Sequence, residues 1–225
     1  MILMGLAAFT MSLALVMTLS RSGIIAFVIA WGVTAWFLIR RQRTAQRGLA
    51  FASLTLFGLL SIGWVGVDRV VQKFATSDEM RPGGRLTIWR DALGVVRRFP
   101  VTGTGMNTYD TAMLEYETIE VDSKAEEAHN DYLQLVAEGG LLVAGATTAL
   151  MIILAREIRR RFREDTTDRM ALEIRAGAAI GLLAIGLQEI VEFSLQLPGN
   201  AALFVVLFAI AFREEKRHVA VQPPV

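Results

Sequence analysis

Six blocks of apolar sequence without a single charged residue constrain this chain more than any other feature. They are residues 1–20, 22–39, 48–67, 139–155, 176–188 and 193–212. A helix needs about 20 predominantly apolar residues, within a range of about 17–25, to cross the hydrocarbon core of a bilayer. The first four blocks meet that length outright. The sequence therefore predicts an all-α fold, a polytopic membrane protein with about six transmembrane helices.

Composition excludes several other kinds of protein. Hydrophobic residues make up 53% of the chain, more than the roughly 45–50% of a soluble domain, which disfavours a soluble enzyme or a nucleic-acid-binding protein. The absence of cysteine excludes disulfides, thiolate zinc sites and iron–sulfur ligation in this chain. Glu126 and His129 have the Glu-x-x-His spacing, as do Glu215 and His218, but the predicted topology separates the two pairs. Neither a metal site nor another cofactor is predicted.

The distribution of basic residues predicts the orientation of the helices. Loops 40–47 and 156–175 and the tail 213–217 hold 14 of the 23 Lys and Arg residues. Short cytoplasmic loops collect Lys and Arg, so both termini are predicted to be cytoplasmic. The resulting divisions are residues 1–67, with three transmembrane helices and an outer SRSG turn, a periplasmic loop at 68–138, three more transmembrane helices at 139–212, and a cytoplasmic tail at 213–225.

The long loop 68–138 is predicted to be partly helical. Its 71 residues exceed the length of a simple connector. Apolar residues at helical spacing predict an amphipathic helix over 85–99, and they are Leu86, Trp89, Leu93 and Val96. The arginines between them are expected to form its solvated face, and they are Arg90, Arg97 and Arg98. Residues 110–127 are predicted to be an acidic, mobile segment, and 128–140 a helix that leads straight into the next span.

Four short motifs follow one another along the chain, in the predicted topology all on the outer face. They are Ser20-Arg21-Ser22-Gly23; Gly84-Arg85 with Trp89, Phe99-Pro100, Gly103, Gly105 and Tyr109; Ala128-His129-Asn130 with Tyr132-Leu133-Gln134 and Glu138-Gly139; and Phe193 to Pro198 with Asn200. In this order they resemble the O-antigen ligase and polymerase family of bacterial envelope glycosyltransferases. The resemblance spans about residues 20–212. Since family members usually have more spans, the chain is expected to be the C-terminal half of such a protein.

The resemblance implies an inner-membrane enzyme that acts without a metal ion. Its reaction would transfer a glycan from an undecaprenyl-diphosphate carrier to an acceptor hydroxyl. The acceptor would be the lipid A core, as for a ligase, or a growing glycan chain, as for a polymerase. Membrane lipids would surround the protein, and no nucleic acid would take part. The alternative is a non-catalytic or truncated membrane protein that binds the lipid-linked glycan or acts as a transporter-like subunit.

The same resemblance assigns roles to individual residues. His129 would be the general base, although a helix-capping or partly buried histidine is the structural alternative. Arg21 and Arg85 would bind the diphosphate, because a planar guanidinium suits that group; the alternative is a side chain that reaches lipid phosphate at the membrane surface. Glu192 could be a counter-ion to either arginine or a solvated carboxylate. Asn130 and Tyr109 are further residues expected to support the site.

Overall fold

A computed structural model of the chain describes residues 2–40, 84–116, 118, 126–163 and 169–213, together with short runs between 52 and 72. These residues form helices and turns and contain no strand, so the predicted all-α class is confirmed. Several predicted features lie outside the described residues. They are most of the basic loop 40–47, most of the acidic segment after residue 116, the middle of the basic loop 156–175 at residues 164–168 and nearly all of the tail.

Two apolar helices open the chain. Helix α1 spans Ile2–Met17 and helix α2 spans Arg21–Arg40. The predicted turn between them lies at 18–20, so Arg21 is the first residue of α2 and not part of the turn. The Ser20 hydroxyl accepts a hydrogen bond from the Gly23 N–H at 3.2 Å. This bond satisfies one of the otherwise unpaired amides at the helix start, as a serine N-cap does.

The second half of the chain is built from three long helices. Helix α5 spans Asp131–Arg163, helix α6 spans Arg169–Gln188, and helix α7 spans Pro198–Phe212 after a short 3-10 turn at Ser194–Gln196. Helix α6 packs against α2 and α7. In α5 and in α6 over Met170–Gln188, the described residues are long and apolar enough to cross a bilayer, whereas Arg21–Thr34 and α7 are shorter. The six-span arrangement therefore stays a prediction.

Between these membrane-type helices, part of the long loop folds around a small core of its own. Helix α3 spans Arg85–Arg98 and helix α4 spans Tyr109–Tyr116. The core side chains come from both helices and from the start of α5, and they are Ala92, Val95, Tyr109, Met113, Ala128 and Ala137. The predicted helix over 85–99 is confirmed. The prediction of a mobile segment from residue 110 is wrong as far as 116, where α4 is ordered by this core.

The predicted apolar face of α3 is also corrected by the structure. Leu86 and Leu93 were expected to be buried, but they are 48% and 44% exposed. The buried side chains are Asp91, Ala92 and Val95 instead. Asp91 is retained in this position because its carboxylate accepts hydrogen bonds from the Thr118 backbone N–H and hydroxyl. The arginines of α3 predicted to be solvated are exposed as expected, at positions 90, 97 and 98.

A kink in α5 joins the loop core to the membrane-type part of that helix. Gly140 has φ 60° and ψ −167°, which interrupts the helix where the sequence had suggested a straight run. The backbone of residues 100–105 docks on this kink. Leu141 N–H donates to the Pro100 carbonyl at 2.9 Å, and Gly105 N–H donates to the Glu138 carbonyl at 2.8 Å. A Cβ at Gly140 would clash with the Val101 carbonyl, so this close backbone approach requires glycine.

Candidate functional site

The centre of the candidate site is the carboxylate of Glu192, which lies just beyond the C-terminal end of α6. Its Oε1 atom accepts a hydrogen bond from Arg85 Nη2 at 3.0 Å and another from the Ser22 hydroxyl at 2.9 Å. This one oxygen therefore links the start of α2 and the start of α3 to the segment that follows α6. Ser22 and Glu192 are 170 positions apart in the sequence. Of the two counter-ions predicted for Glu192, the structure confirms Arg85.

The ion pair is reachable from solvent. The Arg85 and Glu192 side chains are 33% and 25% exposed. A half-exposed pair of this kind contributes little to the free energy of folding. Arg85 also keeps guanidinium N–H groups beyond the one that Glu192 uses, because the fork carries five donors. The pair therefore combines a modest structural contribution with the capacity to bind a further anion.

Two helix N-termini meet at this carboxylate. Arg21 and Ser22 are the first residues of α2, and Arg85 is the first residue of α3. The residue that precedes α3 is Gly84, which has no side chain to cap the helix. The N-terminal end of a helix carries a partial positive charge and unpaired N–H groups, and it favours anions.

His129 lies beside this cluster in a restrained conformation. Its ring packs edge to face on Phe193, with ring centroids 5.1 Å apart. Its backbone has φ 49°, a left-handed value that is uncommon outside glycine. The neighbouring residues hold it there. The Trp89 indole N–H donates to the Ala128 carbonyl at 2.8 Å, and the Ala128 N–H donates to Gln134 Oε1 at 3.1 Å.

The surroundings of His129 favour its neutral form. Burial lowers the pKa of His129 below its ordinary value of 6.5, and the Arg85 cation lowers it further, against smaller opposing effects of Glu192 and Glu127. The Nδ1 atom is buried and has no hydrogen-bond partner among the described residues. A neutral imidazole can accept a proton, so at neutral pH this side chain is in the form that a general base requires.

Two of the residues predicted to support the site have structural contacts. The Asn130 side-chain oxygen accepts a hydrogen bond from the Leu133 N–H at 2.9 Å and so caps α5. Tyr109 is buried in the loop core, and its backbone N–H donates to Glu138 Oε1 at 3.2 Å. Arg85, Glu192 and the start of α2 at Arg21 thus come together next to His129. Asn130 fixes the start of the following helix, and Tyr109 packs away from the cluster.

A second polar network ties the last motif to the third one. The Gln196 side chain donates to Asp131 Oδ1 at 2.7 Å, and the Asp131 backbone N–H donates to the Glu189 carbonyl at 3.1 Å. The Glu189 carboxylate is buried and accepts a hydrogen bond from the Ser194 hydroxyl. The part that Glu189 plays in holding residues 193–196 was not predicted from the sequence. The sequence feature that could have indicated this role is the spacing of Glu189 and Glu192 by about one helical turn.

The described residues contain no group of three His, Asp or Glu side chains that could hold a metal ion. Charge at the site is instead balanced between Arg85 and Glu192. This arrangement can bind an anionic group at Arg85 and accept a proton at His129.

Comparison with known proteins yields one family. The family model described as O-antigen ligase (Wzy_C) matches residues 6–148, which is more than half of the chain. This range includes α1, α2, α3, α4 and the first part of α5. No curated protein and no solved structure matches the chain.

Proposed function

Since the chain belongs to the O-antigen ligase family, a family of inner-membrane, glycosyltransferase-type enzymes of envelope polysaccharide assembly, we propose a specific reaction for it. The protein transfers a glycan from an undecaprenyl-diphosphate carrier to a hydroxyl group of the acceptor. The acceptor is the lipid A core or a growing glycan chain. The reaction takes place at the periplasmic face of the inner membrane, with both termini of the chain in the cytoplasm.

The observation that carries the proposal is the shared carboxylate of Glu192. It joins Arg85 and Ser22 directly, with Arg21 adjacent and His129 close enough for both charges of the ion pair to affect its pKa. Residues from three of the four motifs therefore meet around Glu192, at what is predicted to be the periplasmic end of the helices. A lipid-linked diphosphate lies at the same depth, because its polyprenyl chain is in the bilayer and its sugar is in water.

In this proposal, the two arginines bind the diphosphate of the donor. A guanidinium forms paired, charge-assisted hydrogen bonds to phosphate oxygens. Before the donor binds, Glu192 balances the charge of Arg85. The diphosphate carries more negative charge than Glu192, so it then replaces Glu192 as the partner of Arg85. The N-terminus of α3 provides further N–H donors. During the reaction the same groups stabilise the charge that develops on the departing diphosphate.

His129 acts as the general base. The acceptor hydroxyl oxygen forms a new bond to the anomeric carbon of the donor sugar, and the bond from that carbon to the diphosphate oxygen breaks. The hydroxyl proton passes to the imidazole of His129, and undecaprenyl diphosphate leaves with the bonding electrons. Proton transfer to a positioned side chain contributes about 10²–10⁴-fold in rate. The lowered pKa of His129 keeps the base unprotonated at neutral pH.

The test compares two variants of His129 in a glycan-transfer assay, with membrane abundance measured in parallel. His129→Ala and His129→Gln should both abolish transfer and leave the protein as abundant as the parent. Full transfer by a normally abundant His129→Ala variant would remove the base from the mechanism. It would favour the alternative of a membrane protein that binds lipid-linked glycan without turnover.

Arg85→Lys tests the diphosphate site separately. Lysine keeps the charge but not the planar fork, so transfer should fall nearly as far as in Arg85→Ala. A matched control is Arg98→Lys, at another exposed position of the same helix, which should leave transfer unchanged. Retention of most activity in Arg85→Lys would mean that Arg85 supplies charge alone, and the paired hydrogen bonds would be refuted.

A further inference from the structure

Helix α3 carries an outward stripe in which leucine and arginine alternate. Leu86, Arg90, Leu93 and Arg97 follow at spacings of four, three and four residues, which places them on one side of a helix. All four are exposed. The buried residues of the same helix, Asp91, Ala92 and Val95, lie on the opposite side. This stripe, the α3 outer face, takes no part in the loop core or in the proposed reaction.

Both ends of α3 are attached to the outer ends of other helices. At its start, Arg85 pairs with Glu192, just beyond the end of α6. At its end, the carbonyls of Pro100 and Val101 accept hydrogen bonds from Leu141 and Leu142, where the straight part of α5 begins. Among the described helices, α5 and α6 are long and apolar enough to span a bilayer. Helix α3, about 21 Å long at 1.5 Å per residue, therefore runs along the membrane surface.

The apolar surface continues from α3 to the membrane-type part of α5. Phe99 and Val101 are exposed directly after α3, and Leu141 and Leu142 are exposed where α5 resumes after its kink. In a protein of an inner-membrane family, the exposed leucines of α5 face lipid. The α3 outer face is thus continuous with a lipid-facing surface, at the depth where the hydrocarbon gives way to headgroups.

We infer that the α3 outer face binds the surface of an anionic bilayer. Leu86 and Leu93 enter the boundary between headgroups and acyl chains, while Arg90 and Arg97 bind lipid phosphate. Helices that lie in this boundary combine an apolar side with Lys or Arg, and they bind more strongly to anionic lipid. The arrangement accounts for leucines that would otherwise be exposed to water on a helix outside the spans. It also fixes the height of Arg85 relative to the lipid phosphates.

The chain has no cysteine, so a single fluorophore can be placed on this face. Leu93→Cys is labelled with bimane, and the protein is reconstituted in vesicles of phosphatidylcholine in which some lipids carry a nitroxide quencher near the headgroup. Thr111→Cys, on an exposed position of α4, is the matched control. Quenching at position 93 should exceed quenching at 111 by about twofold or more. Equal quenching at the two positions would overturn the inference, and so would protection of position 93 from water without quenching by lipid, which would point to a protein partner.

The role of the arginines has its own test. Adding phosphatidylglycerol to the vesicles should increase quenching of the label at position 93. Replacing both arginines, in the variant Arg90→Gln with Arg97→Gln, should remove that increase and leave the unfolding temperature unchanged, because both side chains are exposed. Quenching that does not respond to phosphatidylglycerol, or that responds equally in the arginine variant, would refute binding to anionic lipid. These readouts do not depend on glycan transfer, so they stand apart from the proposed function.

Discussion

Replacing Gly140 with alanine should destabilise the region formed by α3, α4 and the start of α5 while leaving the Arg85–Glu192 ion pair chemically intact. Gly140 has φ 60° and ψ −167°, a backbone region that is essentially restricted to glycine and costs another residue about 1–3 kcal/mol. Its new Cβ would also lie 2.5 Å from the Gly103 nitrogen and closer still to the Val101 carbonyl. Relief of that clash requires residues 100–105 to move away from the kink.

Such a movement would weaken the backbone hydrogen bonds that Leu141 and Leu142 donate to Pro100 and Val101. Each bond contributes about 1 kcal/mol, so with the backbone strain the loss in the free energy of unfolding should be about 3–5 kcal/mol. For a chain of this size, that loss corresponds to a fall of about 6–20 °C in the unfolding midpoint.

The assay is thermal unfolding of the purified protein in detergent, followed by intrinsic tryptophan fluorescence. Gly145→Ala is the matched control, because Gly145 lies in the same helix and a Cβ there would meet nothing within 4 Å. It should change the stability by no more than about 1 kcal/mol. If Gly140→Ala unfolds at the temperature of the Gly145→Ala control, the kink does not depend on glycine and the reasoning fails.

Three further predictions concern the site and its orientation. The rate of transfer should fall at acid pH with a midpoint below 6.5, because protonation removes the base and the pKa of His129 is lowered. Glu127→Gln removes a charge that raises this pKa, so it should move the midpoint to lower pH. A profile that is the same in Glu127→Gln would exclude His129 as the titrating group. Trp89→Phe should lower transfer about tenfold and stability by about 1 kcal/mol, through loss of the bond to Ala128; an unaltered rate would mean that this bond does not position His129. A cysteine at Thr111 should react with a membrane-impermeant thiol reagent once the outer membrane is permeable, whereas reaction only after lysis of the inner membrane would reverse the predicted topology.

Local patterns in the sequence predicted the elements that depend on neighbouring residues. The helix over 85–98 follows from its apolar spacing and from the proline that ends it. The pairing of Glu192 with an arginine was only one of two alternatives that the sequence left open, the other being a solvated carboxylate. The side of α3 that is buried could not be predicted in the same way. Burial of Asp91 depends on Thr118, which lies 27 residues away, and a hydrophobicity pattern contains no information about that partner.

Helix α4 was missed for a related reason. Its sequence is acidic and gives no strong helical pattern of its own. The helix forms because the Glu138 carboxylate accepts hydrogen bonds from the backbone N–H groups of Asn107 and Tyr109, and because Tyr109 and Met113 fill the loop core. Glu138 was noted in a motif, but a carboxylate that caps a helix 29 residues earlier can be recognised only when both segments are seen together.

The residues that hold the outer region together differ from those that would carry out the reaction, and this separation makes the proposed mechanism testable. The kink at Gly140 and the cap at Glu138 position residues 100–109. The partly buried Arg85–Glu192 pair and the partly buried His129 lie at the other end of α3. A substitution in the first group should lower transfer together with stability. A substitution of His129 should lower transfer per folded molecule and cost little stability beyond the ring contact with Phe193, because its Nδ1 atom has no hydrogen bond to lose among the described residues. Parallel losses of stability and transfer in the His129 variants would therefore assign His129 to the structural group, even if their activity were completely abolished.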